Sequence, residues 1–294
     1  MNRPRKSSLK MEEYDPNETK TTKKATPPPV QAATPQEAII QQAKENEANE
    51  PGFFAIDGLP TDGQFYPEGT EIRARTMKVT EVKMLSNMDE TNANDLINDI
   101  LRRTVRGIEI EDLFTADKLY IIFWLRANTY KDSGYEVTFD CPLCKKKSAT
   151  YNFELDVLKI QKYSDEQYKK FTSEITLSSG NKITLKLLTV QDENDNQKFL
   201  KQNENSMMDF DTEIISLCRM IASINGDKKM GMLEKYRFVT EELNPQDYAY
   251  IESFVQDCGI GIEPSVDVKC NACGGSTESV LPFRPDFFLP KIRT

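Results

Sequence analysis

The chain has 294 residues, with 38 basic and 47 acidic side chains, a net charge of −9 and no histidine. That length accommodates two modest domains, and the missing imidazoles exclude a Ser-His-Asp triad, a Cys-His dyad and histidine-based zinc sites, so any metal must be held by thiolates and carboxylates. The acidic balance argues against a protein that coats a duplex, and the longest apolar run, Leu119 to Leu125, is too short to span a membrane.

Residues 1–50 carry 8 basic and 8 acidic residues and a Thr/Lys/Pro/Ala stretch from Thr19 to Ala33. Such a segment buries too little apolar area to offset its ordering entropy and is expected to be a disordered N-terminal arm. Gln36 to Glu47 has the composition of a short helix formed on binding a partner, and an inert solvated leader is the alternative reading. Basic residues near Met1 are not followed by an apolar stretch, so a secretory signal is not expected and the chain reads as made in the cytoplasm.

From Pro51 the composition becomes globular, and the chain resembles itself. Gly69, Ile72, Met77 and Val79 recur as Gly180, Ile183, Leu188 and Val190, and Ile97 and Ile100 as Ile214 and Leu217. Leu113, Asp117, Tyr120 and Ile121 recur as Leu243, Asp247, Tyr250 and Ile251, with Cys141 and Cys144 recurring as Cys270 and Cys273. The expected architecture is therefore α+β, with two related repeats, 51–155 and 156–294, each built of a hairpin, helices and a Cys-x-x-Cys hairpin. The growing offset places insertions in the second repeat, foremost a surface loop at Asn225 to Arg237 containing Gly226 and Gly231.

In the first repeat a helix is expected at about Ala116 to Ala127, carrying Tyr120, Ile121, Phe123 and the single tryptophan, Trp124, as core. In the second, Glu174 to Leu177 and Lys182 to Leu187 alternate about Ser178-Ser179-Gly180-Asn181 and predict a hairpin. Helices are expected at Val190 to Lys201 and Thr212 to Ile224. A last helix opens with Asn244 as N-cap and Pro245 in the first position, with Asp247 in the first turn. Its Tyr250, Ile251, Phe254 and Val255 share a face.

Four of the six cysteines form two like turns, Cys141-Pro-Leu-Cys144 and Cys270-Asn-Ala-Cys273. Two intervening residues let a tight turn aim both sulfurs at one point, and zinc accepts four thiolates tetrahedrally. Alternating residues flank both turns: Tyr135, Val137 and Phe139 lead into the first and Tyr151 and Phe153 leave it, while Val266 and Val268 lead into the second and Val280 leaves it. The 125 residues between Cys144 and Cys270 exceed the spacing of a compact ribbon. A pseudo-symmetric pair of repeats would bring the two knuckles together around one zinc per chain. Its closed thiolate shell makes that zinc structural. A redox Cys-x-x-Cys and an empty pair of thiols are the competing readings. Cys218 reads as a small core residue.

Other motifs fail. Gly226-x-x-x-x-Gly231 is followed by Met232 and Leu233 where a phosphate loop needs Lys and Ser or Thr, and Gly259-x-Gly261 lacks its third glycine. Asp192-x-Asn194-x-Asn196 has Gln197 where a calcium loop must turn. Asp89-Glu90 and Glu241-Glu242 read as solvated faces. No catalytic residues and no small-molecule substrate are expected.

Three stretches, Gly58-Leu-Pro-Thr-Asp-Gly-Gln-Phe65-Tyr66-Pro67-Glu-Gly69, Cys270-Asn-Ala-Cys273-Gly274 and Pro282-Phe-Arg-Pro285-Asp-Phe287-Phe288-Leu-Pro290, resemble the baseplate hub proteins of T-even-like contractile-tailed bacteriophages. The resemblance implies a non-enzymatic component of the virion tail baseplate whose partners are other baseplate or tail proteins, or a factor that helps the hub assemble and is absent from the mature virion. A zinc-dependent nucleic-acid-binding module is the third class, with Arg102, Arg103 and Arg106 as its basic cluster, although nucleic acid is disfavoured as a partner. Prolines 282, 285 and 290 prevent a central strand, and Phe287, Phe288 and Leu289 form an apolar plug, either covering the chain's own knuckle or seated on a neighbouring subunit. The second reading makes them partner-binding residues.

Overall fold

The computed structural model describes residues 51–280 apart from 64, 90, 131–134, 138–139, 147–150, 154–158, 207–208 and 264. The N-terminal arm and the Phe287-Phe288-Leu289 plug lie outside the described residues. The molecule is α+β with small antiparallel sheets, and no described helix is long and apolar enough to cross a membrane.

Short strands serve here as frames for helices. β1 (Phe54–Ala55), β2 (Arg73–Ala74) and β3 (Val105–Arg106) form an antiparallel sheet in that order. Between β2 and β3 run α1 (Val79–Leu85) and α2 (Ala93–Thr104); after β3 come a short 3-10 turn (Ile110–Asp112) and α3 (Thr115–Thr129). Leu85, Leu101, Leu113, Ile121 and Leu125 interlock as the first core, with Trp124 packed at its edge. Gly107 ends β3 with φ +90, and a Cβ there would collide with the Glu71 carbonyl oxygen, so the backbones touch where only glycine fits.

β4 (Tyr135–Val137) and β5 (Tyr151–Phe153) pair antiparallel on either side of the first cysteine turn. β6 (Lys159–Gln161) leads to α4 (Asp165–Thr172), which opens with a reciprocal cap between Ser164 and Gln167. The predicted hairpin is present as β7 (Glu174–Thr176) and β8 (Lys182–Leu185), and β9 (Ile221–Ile224) completes a second three-stranded antiparallel sheet. α5 (Val190–Asn203) and α6 (Thr212–Met220) lie between β8 and β9. The expected helix through Ile224 therefore stops at Met220. Ile221 and Ile224 are β-branched and wholly buried, and pairing with β8 satisfies their backbone better than another helical turn.

The segment expected as loop at 225–237 is loop only to Gly231. It continues as α7 (Met232–Arg237) because Tyr236 buries against the second core and Lys235 donates to the Ile221 carbonyl. After a π-helical turn (Phe238–Glu242), α8 (Pro245–Asp257) opens at Asn244, whose side chain accepts the Asp247 N–H, with Pro245 first. Of the expected inward face, Ile251 is fully buried and Phe254 and Val255 pack partly, while Tyr250 is 51% exposed. β10 (Gly261–Glu263) pairs with β6, and β11 (Ser265–Lys269) pairs with β12 (Ser276–Val280) around the second cysteine turn.

Two backbone bonds fasten the start of α5 to the first core: Val190 N–H to Leu113 O at 2.9 Å and Thr115 N–H to Leu188 O at 3.0 Å. The Phe65-Tyr66 pair links the two cores. Tyr66 buries in the first core, and Phe65 stacks on Tyr168 of α4, beside the second core, with ring centroids 3.8 Å apart.

Candidate metal centre

Each cysteine turn is closed by the same two backbone bonds. In the first, Lys145 N–H donates to Cys141 O at 2.9 Å and Cys141 N–H to Lys146 O at 3.0 Å; in the second, Gly274 N–H donates to Cys270 O at 2.8 Å and Cys270 N–H to Gly275 O at 2.8 Å. The residue after the second cysteine is left-handed in both, Lys145 at φ +59 and Gly274 at φ +72. Glycine takes that conformation without strain and lysine does not, so the first knuckle is the costlier of the two to form.

The fold carries both turns to one point. The sulfurs of Cys141, Cys144, Cys270 and Cys273 all lie within 4.8 Å of one another. Cys141 and Cys273 approach to 3.8 Å, as do Cys144 and Cys270. A tetrahedron with arms of about 2.3 Å has edges of about 3.8 Å, so the donor set matches the span of a four-thiolate metal site. Cys141 and Cys270 are buried, Cys144 is half-buried and Cys273 is exposed. Leu143 of the first turn lies over Gly275 of the second, where any side chain would meet it.

Electrostatics favour a cation at the centre. Backbone N–H groups of Cys273 and Ala272, the latter 3.4 Å from the sulfur, pull the Cys270 thiol down to about 6. The Gly275 N–H favours the Cys273 thiolate too, but the Cys270 sulfur, burial and the sulfurs of Cys141 and Cys144 outweigh it and push that thiol up to about 11. Like groups crowded together lose the first proton readily and hold the last, and a divalent cation relieves that repulsion.

The other two cysteines are elsewhere: Cys218 and Cys258 are buried in the second core, and burial pushes the Cys218 thiol up to about 12. The arginine cluster does not form an open basic patch. Arg102 is held between Asp99 at 2.7 Å and Glu111 at 2.6 Å, and Arg106 bonds the Arg102 and Val105 carbonyls and lies over the Phe53 ring. Asp192 caps α5 by bonding Thr189, and it pairs with Lys186.

Sequence reading did not assign a role to the Gly58–Gly69 stretch. Within it, Thr61 donates through both its N–H and its hydroxyl to Asp117 of α3, and Tyr66 donates its hydroxyl to the same carboxylate at 2.6 Å while accepting the Phe114 N–H. The stretch is a buried latch on the start of α3. The signal available was a short run of Gly, Pro and aromatic residues, which says turn and anchor but names no partner.

A family model described as T4 bacteriophage base plate protein matches residues 57–289, which spans the latch, both cores and both cysteine turns. No curated protein and no solved structure matches the chain significantly.

Proposed function

Because the chain belongs to the T4 bacteriophage base plate protein family, we propose that it is a structural subunit of the tail baseplate hub, tied internally by one zinc and joined to other tail proteins through its termini. The family match over 57–289 carries this reading. Zinc is favoured over other ions by an all-thiolate set at tetrahedral spacing. Cys141, Cys144, Cys270 and Cys273 are its ligands. With no position left for water or substrate, the metal clamps the two cysteine turns, and its binding energy becomes folding energy.

A duplicated origin, with repeats at 51–155 and 156–294, is part of the same reading. Its support is that each three-stranded antiparallel sheet is built in the same chain order, two paired strands, two helices and a third strand, and a further helix follows, directly after a 3-10 turn in the first and beyond α7 and a π-helical turn in the second. Asp117 and Asp247 recur as the third residue of those further helices.

Mass spectrometry of purified tails decides between a virion component and an assembly factor. The expected result is the chain present in mature particles at a fixed ratio to other baseplate proteins; presence only in assembly intermediates overturns the structural reading in favour of an assembly role.

A further inference from the structure

The two cysteine turns share their spacing and their closing bonds but differ in the strain of holding them closed. We infer that the first turn, Cys141 to Lys145, is the gate of the metal centre: Cys270 and Cys273 take the ion first, the first turn closes over it last, and on release the first turn opens first. This gate rests on the four-thiolate zinc reading above and adds to it an order of events.

The residue after the second cysteine is left-handed in both turns, at φ +59 for Lys145 and φ +72 for Gly274. A Cβ in that conformation presses on the carbonyl oxygen that follows it, and glycine has no Cβ. The closed first turn therefore holds strain that opening relieves, while the closed second turn holds none. The second turn is also arranged around its own sulfur. Its closing bonds, Gly274 N–H to Cys270 O and Cys270 N–H to Gly275 O, are both 2.8 Å, and the Ala272 N–H lies 3.4 Å from the Cys270 sulfur. Those groups all belong to the second turn, so they can hold a thiolate before the first turn arrives. Leu143 makes the first turn the outer leaf of the pair. It lies over Gly275 yet is 65% exposed, so it gives up little buried apolar area when the first turn lifts.

The test follows zinc leaving the full chain into a chromogenic chelator at rising chelator concentration. In the natural chain the rate should level off, because opening of the first turn limits it. Lys145→Gly removes the strain from the closed turn and should lower that ceiling about fivefold, the rate equivalent of about 1 kcal/mol. Lys145→Ala removes the charge but keeps a Cβ in the left-handed conformation, and its ceiling should stay within about twofold of the natural one. Gly274→Ala places the same strain in the second turn, where a Cβ meets nothing within 4 Å. It should weaken zinc about fivefold in equilibrium competition with the chelator and leave the release ceiling unchanged, since the second turn is still closed when the limiting step occurs. A ceiling moved by Gly274→Ala instead of Lys145→Gly, equal slowing by both Lys145 variants, or no change in any variant overturns the gate. So does a rate that climbs with chelator without limit, as attack at the exposed Cys273 sulfur would give. Each of these outcomes leaves the zinc in place, whereas a natural chain that holds no zinc overturns the gate and the metal reading together.

Discussion

Asp117 and Asp247 occupy the same place, the third residue of a helix, yet their surroundings drive them apart. Burial raises the Asp117 carboxyl above its ordinary value, against the bonds from Thr61 and Tyr66 that lower it. Burial also raises Asp247, but bonds from Ser178 and Ser179, whose N–H groups lie at 2.8 and 3.1 Å, prevail and hold it at about 2. The signs of their pH effects are therefore opposite. Asp247 stabilises the fold fully above the ordinary carboxylate value and loses that contribution as pH falls toward 2. Asp117 contributes fully below the ordinary value and loses its contribution as pH rises through its higher folded value. Urea midpoints should show it: the advantage of the natural chain over Asp247→Asn shrinks on acidification below pH 4, whereas its advantage over Asp117→Asn grows. The sequence aligned these two aspartates and placed Asp247 in a first turn. It did not say what either carboxylate would touch, because Thr61, Ser178 and Ser179 lie more than fifty residues away along the chain.

At the scale of elements, the start of α8 was legible because a cap is local: Asn244 with Pro245 marks it within two residues. Helix ends were not. The α6 pattern runs on into Ile221 and Ile224, and only a waiting strand, β8, turns those residues into sheet. Two element contacts give predictions. Gly107→Ala drives a methyl into the Glu71 carbonyl at a left-handed position and should cost at least about 2 kcal/mol, read as a fall in the urea midpoint. Phe65→Ala removes the stack on Tyr168 and should cost about 1–2 kcal/mol. Hydrogen exchange should then quicken in α4 while the centres of α3 and α8 stay protected, since the latch joins the cores rather than building either.

For the whole molecule, the two cysteine turns are a long-range device, closing 125 intervening residues into one site. Metal analysis of the purified protein should give one zinc per chain. Cys270→Ser should abolish that stoichiometry and, for a loss of about 3 kcal/mol, lower the melting temperature by roughly 6–12 °C. A metal-free protein with unchanged melting would refute the clamp. Stripping zinc with a chelator should reproduce the drop in the natural chain and leave the Cys270→Ser variant unmoved.

By itself the sequence determined the α+β class, the missing histidine chemistry, the hairpin at β7–β8, the Asn244 cap and the shape of each cysteine turn, because all of these rest on composition or on neighbours within a few residues. It also supplied the meeting of the two cysteine turns as an expectation, through self-resemblance. Only the tertiary structure decided that four sulfurs meet at metal spacing, that the Gly58–Gly69 stretch latches α3, and that Arg102 is spent on Asp99 and Glu111. Those outcomes depend on which distant surfaces pack against one another, and local propensity carries no information about partners far along the chain.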